Sequence, residues 1–142
     1  MKINELMTPG LESISPKTTA KEAARKMHDL HIGSLPVVDD GELVGIITDR
    51  DICCRVTGMG RDAVMTSVAD VMGKEVVTCF DDQDVTDAVQ LMVDHHIRRL
   101  AVLRRDNSMA GFLSVDDLAR NSHELASNVL QEIGRASCRE RV

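Results

Sequence analysis

Apolar residues after Thr19 recur at intervals of three and four, the spacing that predicts an amphipathic helix. They are Ala20, Ala23, Ala24, Met27 and Leu30. Thr19 followed by Glu22 also fits a capping box, in which the two side chains satisfy backbone N–H groups at the start of a helix. A helix is therefore expected from about residue 20, ending at residues 31–33.

Short apolar runs on either side of Asp40-Gly41 predict a β-hairpin, because Asp-Gly is a favoured two-residue hairpin turn. The runs are Leu35–Val38 and Leu43–Ile47. A short extended piece at Ser13-Ile14 precedes the helix, and a second helix is expected to open at Thr48. The predicted order of elements is therefore β-α-β-β-α.

The same pattern occurs a second time along the chain. Met27 matches Met92, an offset of 65, and Asp51 matches Asp117, an offset of 66 that one extra residue in the second hairpin turn explains. The second copy is expected to contain a strand at 76–78, a helix from Asp84, strands at 100–103 and 110–113, and a helix after Ser114. We predict an α/β (α+β) fold of two pseudosymmetric repeats packed as one module.

The repeats suggest a division of the chain into four parts. Residues 1–62 are expected to hold the first repeat with its connector, and residues 63–121 the second. Apolar spacing in residues 122–133 predicts a C-terminal helix. Residues 134–142 have no matching period and resemble sequencing-adapter read-through, so we interpret them as a non-native tail.

Composition narrows the class of protein. The 142 residues are 43% hydrophobic and 28% charged, as in ordinary soluble domains. A net charge of −6 and 1% aromatic residues argue against a nucleic-acid partner. No apolar run approaches the ~20 residues of a membrane span, and no signal-peptide pattern begins the chain, so a cytoplasmic protein without membrane association is expected.

Candidate catalytic and metal-binding groups are few. Four cysteines form no CxxC pair, which fits reduced thiols rather than a disulfide scaffold or a zinc site. The sequence has no Ser/His/Asp or Cys/His constellation and no phosphate-binding P-loop. We therefore expect neither an enzyme nor a metal site.

The most informative motif lies where a predicted strand leads directly into a predicted helix. Residues 45–51, GIITDRD, recur as residues 111–117, GFLSVDD. The hydroxyls of Thr48 and Ser114 are candidate phosphate ligands, and the carboxylates of Asp51 and Asp117 can each accept hydrogen bonds from two vicinal ribose hydroxyls. Each pair also matches a capping box that would stabilise a helix and bind nothing.

These motifs together resemble a family. Parts of a cystathionine-β-synthase (CBS) domain are resembled by Leu6-Met7-Thr8, the alanine-rich helix, residues 31–39 (HIGSLPVVD) and residues 45–51. Over roughly residues 1–121 the chain is similar to a tandem pair, or Bateman module, of the short stand-alone bacterial type. The resemblance implies a non-catalytic sensor with no required cofactor. It would bind AMP, ADP or ATP, or S-adenosylmethionine, in clefts between the repeats, and signal occupancy to a protein target of unknown identity.

The resemblance also implies roles for individual residues and an assembly. Ser13-Ile14 and Thr78-Cys79 would border the adenine, Ser34 and Pro36 would line the cleft, and two modules would form a homodimer. Phosphate would meet Thr48 and Ser114, and ribose would meet the two aspartates.

The second repeat departs from the family pattern, since Arg98-Arg99 stand where the first repeat has Gly33-Ser34. These arginines are expected either to make charge-assisted contacts to phosphate or to lie in surface ion pairs. An alternative function stays open at this point. The chain could be a ligand-free dimerisation or interaction module that responds to oxidation of Cys53, Cys54 or Cys79.

Overall fold

The computed structural model describes residues 1–9 and 12–140, with side chains as far as Gly134. The chain forms two compact units, which we call the first unit (residues 12–76) and the second unit (residues 1–11 with 77–142). The helices are α1 Ile3–Leu6, α2 Ala20–Leu30, α3 Asp49–Asp51, α4 Val68–Val71, α5 Val85–His95, α6 Val115–Asn121 and α7 His123–Glu140. The strands are β1 Thr8–Pro9, β2 Ser34–Asp39, β3 Glu42–Thr48, β4 Thr78–Phe80, β5 Arg99–Leu103 and β6 Met109–Ser114. None of the helices in the described part of the chain is long and apolar enough to cross a membrane.

The first unit contains the predicted helix and hairpin. The Thr19 hydroxyl accepts a hydrogen bond from the Glu22 backbone N–H at 3.2 Å, so Thr19 caps α2 through one of the two bonds of the predicted capping box. The helix ends at His31, whose φ of 55° is the left-handed conformation that closes many helices. The turn between β2 and β3 has positive φ at Asp40 and Gly41, as the Asp-Gly pair predicts.

One hydrophobic core belongs to the first unit. It lies between α2, the β2–β3 hairpin and α4, and a π-helical segment, Ile52–Thr57, continues directly from α3. The buried residues of this core are Ile14, Ala20, Ala23, Met27, Leu35, Val37, Ile47, Val56, Val68 and Val71.

The second unit has a four-stranded sheet in the order β1-β6-β5-β4. Strand β4 pairs parallel to β5, and the other neighbours pair antiparallel. Its core is separate from that of the first unit and consists of Ile3, Cys79, Val85, Ala88, Met92, Leu100, Val102, Ala110, Leu113, Val115, Leu118, Ala126 and Val129.

Each unit is completed by the segment that precedes the other repeat; we call residues 1–9 and 68–73 the lead-in segments. In the second unit, Ile3 is fully buried in the core, and Thr8 pairs with Phe112. In the first unit, Val68 is fully buried, and Gly73 exchanges two backbone hydrogen bonds with Ile46 at 2.9 and 3.0 Å. The ranges 1–62 and 63–121 therefore follow the sequence duplication, whereas the compact units follow the packing of the lead-in segments.

Three elements differ from the sequence-based expectation. The extended piece predicted at Ser13-Ile14 forms only an isolated bridge between Ile14 and Val37 and no strand. The strand predicted at 76–78 is β4, Thr78–Phe80, because its position is set by parallel pairing with Ala101–Leu103 rather than by its own apolar run. The C-terminal helix predicted to end near residue 133 continues as α7 to Glu140. Arginine, alanine and glutamate beyond Gly134 are good helix formers, so the helix continues despite the low helix propensity of Gly134. The non-native origin of 134–142 stays a prediction, and residues 141–142 lie outside the described residues.

Asp84 caps helix α5 and gives the fold a pH dependence. Its carboxylate accepts hydrogen bonds from the hydroxyl and the backbone N–H of Thr86, and these bonds lower the pKa of Asp84 to about 2. Because the folded-state pKa lies below the ordinary value of 3.8, the carboxylate stabilises the fold above about pH 4, and this contribution is lost as the pH falls through about 2.

We therefore expect Asp84→Asn to unfold at a lower urea concentration than the unchanged protein at pH 7, with the gap closing as the pH falls toward 2. Asparagine is also a good N-cap, so the change isolates the charge. Asp87→Asn, which changes an exposed carboxylate in the same turn, is the control. An Asp84→Asn gap that is constant between pH 7 and pH 2 would contradict the assignment.

Candidate functional site

We call the point where a strand leads directly into a helix a junction. The junction of the first unit has Thr48 at the end of β3 and Asp51 three residues later in α3. The Thr48 backbone N–H donates to Asp51 Oδ2 at 2.9 Å, and the Asp51 N–H donates to Thr48 Oγ1 at 3.1 Å. Both bonds of a capping box are thus formed. The helix-capping interpretation therefore accounts for one oxygen of Asp51 and one lone pair of Thr48 Oγ1.

The second oxygen of Asp51 has a different environment. Its Oδ1 lies 3.8 Å from Arg55 Nε, a distance beyond a direct hydrogen bond, and the Asp51 side chain is 17% exposed. A hydroxyl group from outside the unit can therefore donate to Oδ1 without breaking the capping box. This makes Asp51 suited to the ribose contact predicted from its chemistry.

The β2–β3 hairpin brings the other first-unit candidates near this junction. Ser34 stands opposite Thr48 in the strand register. Ile14 bonds to the outer edge of β2, with its N–H donating to the Pro36 carbonyl at 3.1 Å, and the carbonyl of Ser13 accepts from Lys26 Nζ at 3.0 Å. Ile14 and Pro36 are buried, so their side chains shape the hairpin.

The junction of the second unit forms the same capping box. The Ser114 backbone N–H donates to Asp117 Oδ2 at 2.9 Å, and the Asp117 N–H donates to Ser114 Oγ at 3.2 Å. Here the second oxygen is occupied as well. Thr8 Oγ1 donates to Asp117 Oδ1 at 3.2 Å, and Arg120 Nη2 lies 3.5 Å from the same atom. The Asp117 side chain is only 3% exposed, so its carboxylate is satisfied within the unit.

The remaining second-unit candidates lie on β4 and β5 or directly before β5. Arg99 stands opposite Ser114 in the register, and the Arg98 carbonyl accepts from the Val115 N–H at 3.0 Å. Arg98 directly precedes β5 and Arg99 begins it, and both residues are exposed. Thr78 and Cys79 lie on β4, one strand further along the sheet.

The cysteines differ in their suitability as redox groups. Burial raises the pKa of the Cys79 thiol to about 11, and the thiolate is the form that reacts. Cys79 is therefore a poor redox switch. Cys53 and Cys54 are exposed on the π-helical segment. Among the residues that the structure describes, no group of three or more His, Cys, Asp or Glu side chains is arranged to hold a metal ion.

The sequence marks Thr8 only as part of the family-like motif at residues 6–8 and assigns it no role at the site. Its partner Asp117 is 109 positions away along the chain, so no local pattern joins them. The repeat offset of 65 gives a signal nevertheless, because it aligns Thr8 with Gly73, a residue with no side chain.

With the geometry in place, comparison with known proteins identifies the class. The CBS domain family model matches residues 3–57 and 68–124, and the chain belongs to the CBS domain family as a tandem pair. The predicted family and α+β fold are thus confirmed.

Individual relatives agree with this assignment. The CBS domain-containing protein YhcV of Bacillus subtilis is 40% identical over 133 residues, covering 92% of this chain and 94% of YhcV. The crystal structure of the CBS domain protein TA0289 of Thermoplasma acidophilum has a TM-score of 0.81 at 25% identity, covering 93% of this chain and 75% of that one. The crystal structure of CBSX2 in complex with AMP has a TM-score of 0.74 at 25% identity, covering 84% of this chain and 93% of that one.

Proposed function

We propose that this chain is a non-catalytic regulatory module that binds an adenosine-containing ligand of the AMP, ADP or ATP class and passes its occupancy on to a partner protein. The observation that carries the proposal is the Thr48–Asp51 junction, where a hydroxyl and a carboxylate with one accessible oxygen stand together in a member of the CBS family. The AMP bound by the neighbour CBSX2 supports the choice of ligand class.

The two groups suit opposite ends of a nucleotide. A carboxylate accepts hydrogen bonds and repels phosphate, so Asp51 is assigned to the ribose hydroxyls. Thr48 carries a hydroxyl that can donate to a phosphate oxygen, and Ser34 stands opposite it. In the second unit, a phosphate contact of Arg98 and Arg99 beside Ser114 stays a prediction.

Signalling follows from binding only if the ligand prefers one conformation of the protein. Occupancy can shift the population of two states by no more than the difference in the ligand's affinity for them. A partner protein that contacts one of these states would then register the nucleotide. A homodimeric state and a cytoplasmic location stay predictions beside this proposal.

Replacing Asp51 with alanine tests the assignment. Isothermal titration with AMP, ADP, ATP and S-adenosylmethionine should give saturable binding for at least one of them with the unchanged protein. The loss of a hydrogen bond to a charged group, worth about 1.5–3 kcal/mol, should weaken that binding by about ten- to 150-fold in Asp51→Ala.

Asp49→Ala is the matched control, because Asp49 is an exposed carboxylate in the same turn and its Oδ1 accepts only from the adjacent Arg50 N–H at 2.8 Å. It should bind the nucleotide with unchanged affinity. Circular dichroism of both variants verifies that they are folded, since Asp51 also caps α3. Equal affinity in a folded Asp51→Ala variant would remove Asp51 from the site.

A further inference from the structure

The two junctions differ at one pair of equivalent positions in the lead-in segments. Thr8 pairs with Phe112 on β6, and Gly73 pairs with Ile46 on β3. Phe112 and Ile46 are themselves equivalent in the repeat, so the two lead-in residues occupy the same place relative to their junctions. One of them carries a hydroxyl and the other carries no side chain.

This difference changes what surrounds the second carboxylate oxygen. The Thr8 hydroxyl donates to Asp117 Oδ1 at 3.2 Å, and the Asp117 side chain is 3% exposed. Gly73 offers no donor to Asp51, whose Oδ1 has Arg55 Nε at 3.8 Å and whose side chain is 17% exposed. Thr8 therefore supplies from within the chain the hydrogen bond that a sugar hydroxyl would supply from a ligand.

We propose that Thr8 closes the Asp117 junction to the ribose of a nucleotide, and that Gly73 leaves the Asp51 junction open. The chain then binds one equivalent of adenine nucleotide, with its sugar at Asp51. This inference rests on the proposed function and names the residue pair that makes the two junctions unequal.

Binding of ribose at Asp117 is disfavoured because the carboxylate already has its hydrogen bonds within the protein. A ribose hydroxyl there competes with the Thr8 hydroxyl and the Arg120 guanidinium for an oxygen that is already contacted and buried, so it gains little over the bonds that the protein already makes. At Asp51 the same hydroxyl replaces water at an oxygen that the protein leaves accessible. Binding at Asp117 also requires uncovering a buried carboxylate and displacing the Arg120 guanidinium, which adds cost.

Moving the hydroxyl to the open junction is the sharpest test. The nearest atom to a Cβ at Gly73 is the Ile46 carbonyl oxygen at 3.7 Å, an ordinary contact, so a Cβ fits there. Gly73→Thr should weaken AMP binding at least about tenfold in isothermal titration, because its hydroxyl takes the place of one charge-assisted bond. Gly73→Val has the same shape without the hydroxyl and should change the affinity by less than about threefold.

The reverse change opens the second junction. Thr8→Val keeps the shape of Thr8 and removes the donor, and its titration with AMP should show about two equivalents instead of one. Thr8→Ser, which keeps a hydroxyl, should remain at one. Thermal unfolding of each variant without nucleotide verifies the fold.

The outcomes separate the inference from the proposed function. If the unchanged protein binds two equivalents of AMP with similar affinity, or if Gly73→Thr and Gly73→Val behave alike, the assignment to Thr8 and Gly73 is overturned and the nucleotide module stands. If the unchanged protein binds none of AMP, ADP, ATP or S-adenosylmethionine, the proposed function is overturned and the inference falls with it.

Discussion

Truncating Leu100 to alanine is expected to lower the free energy of unfolding by about 2–5 kcal/mol, the range for removing a fully buried leucine side chain. Leu100 has no exposed surface and lies on β5 in the second-unit core, together with Met92, Leu113 and Leu118. The loss combines the transfer free energy of the missing carbons with the cost of the remaining cavity. Urea unfolding monitored by circular dichroism measures it.

The equivalent change in the first unit, Leu35→Ala, is the matched comparison. Leu35 is also fully buried, and its core shares no residue with that of Leu100. Hydrogen exchange should therefore show the greater loss of amide protection on β5 and β6 for Leu100→Ala, and on β2 and β3 for Leu35→Ala. Identical protection losses throughout the chain in both variants would contradict the separation into two cores.

Replacing Gly111 with alanine is expected to destabilise the protein by about 1–3 kcal/mol, the usual cost of forcing an extra carbon into a packed position. Gly111 is buried on β6 opposite Pro9, and a Cβ there would overlap the Thr8 carbonyl oxygen. The obstructing atom is backbone, so the lead-in strand has to move away. The variant should unfold at a lower urea concentration and expose the amides of β1 and α1 to exchange.

Gly73→Ala serves as the control, because its Cβ meets only the Ile46 carbonyl oxygen, at 3.7 Å. It should change the free energy of unfolding by much less than Gly111→Ala. Gly45→Ala should resemble Gly111→Ala, since its Cβ would lie 2.8 Å from the Gly73 carbonyl oxygen and 2.6 Å from Met72 Sδ. Unchanged stability in Gly111→Ala would show that β1 is not held against β6.

Local chemistry predicted the individual elements well. Thr19 does cap a helix, and the Asp40-Gly41 turn does join two strands, because each of these features depends on bonds between residues close in sequence. The constant offset between the repeats also allowed the elements of the second repeat to be predicted from those of the first. β4 was misplaced by two residues because its strand is set by a partner more than twenty residues away.

The sequence predicted which residue types stand at the site, but only partly which of their oxygens a ligand can reach. The pattern Thr-x-x-Asp fits both a helix cap and a nucleotide contact, and the structure shows the cap formed in both repeats. Whether an oxygen remains for a ligand depends on the lead-in segment that packs beside it. That segment precedes the other repeat along the chain, so the sequence around Asp51 or Asp117 does not show which residue packs beside each carboxylate.

The lead-in segments bear on how such a chain could have arisen. Residues 1–9 complete the core of residues 77–142, and residues 68–73 complete that of residues 12–65. A molecule with one repeat and the same packing would have to swap its first residues with a second molecule, so its stability would depend on concentration. Fusing two copies end to end makes that exchange intramolecular, and afterwards each half is free to acquire its own substitutions.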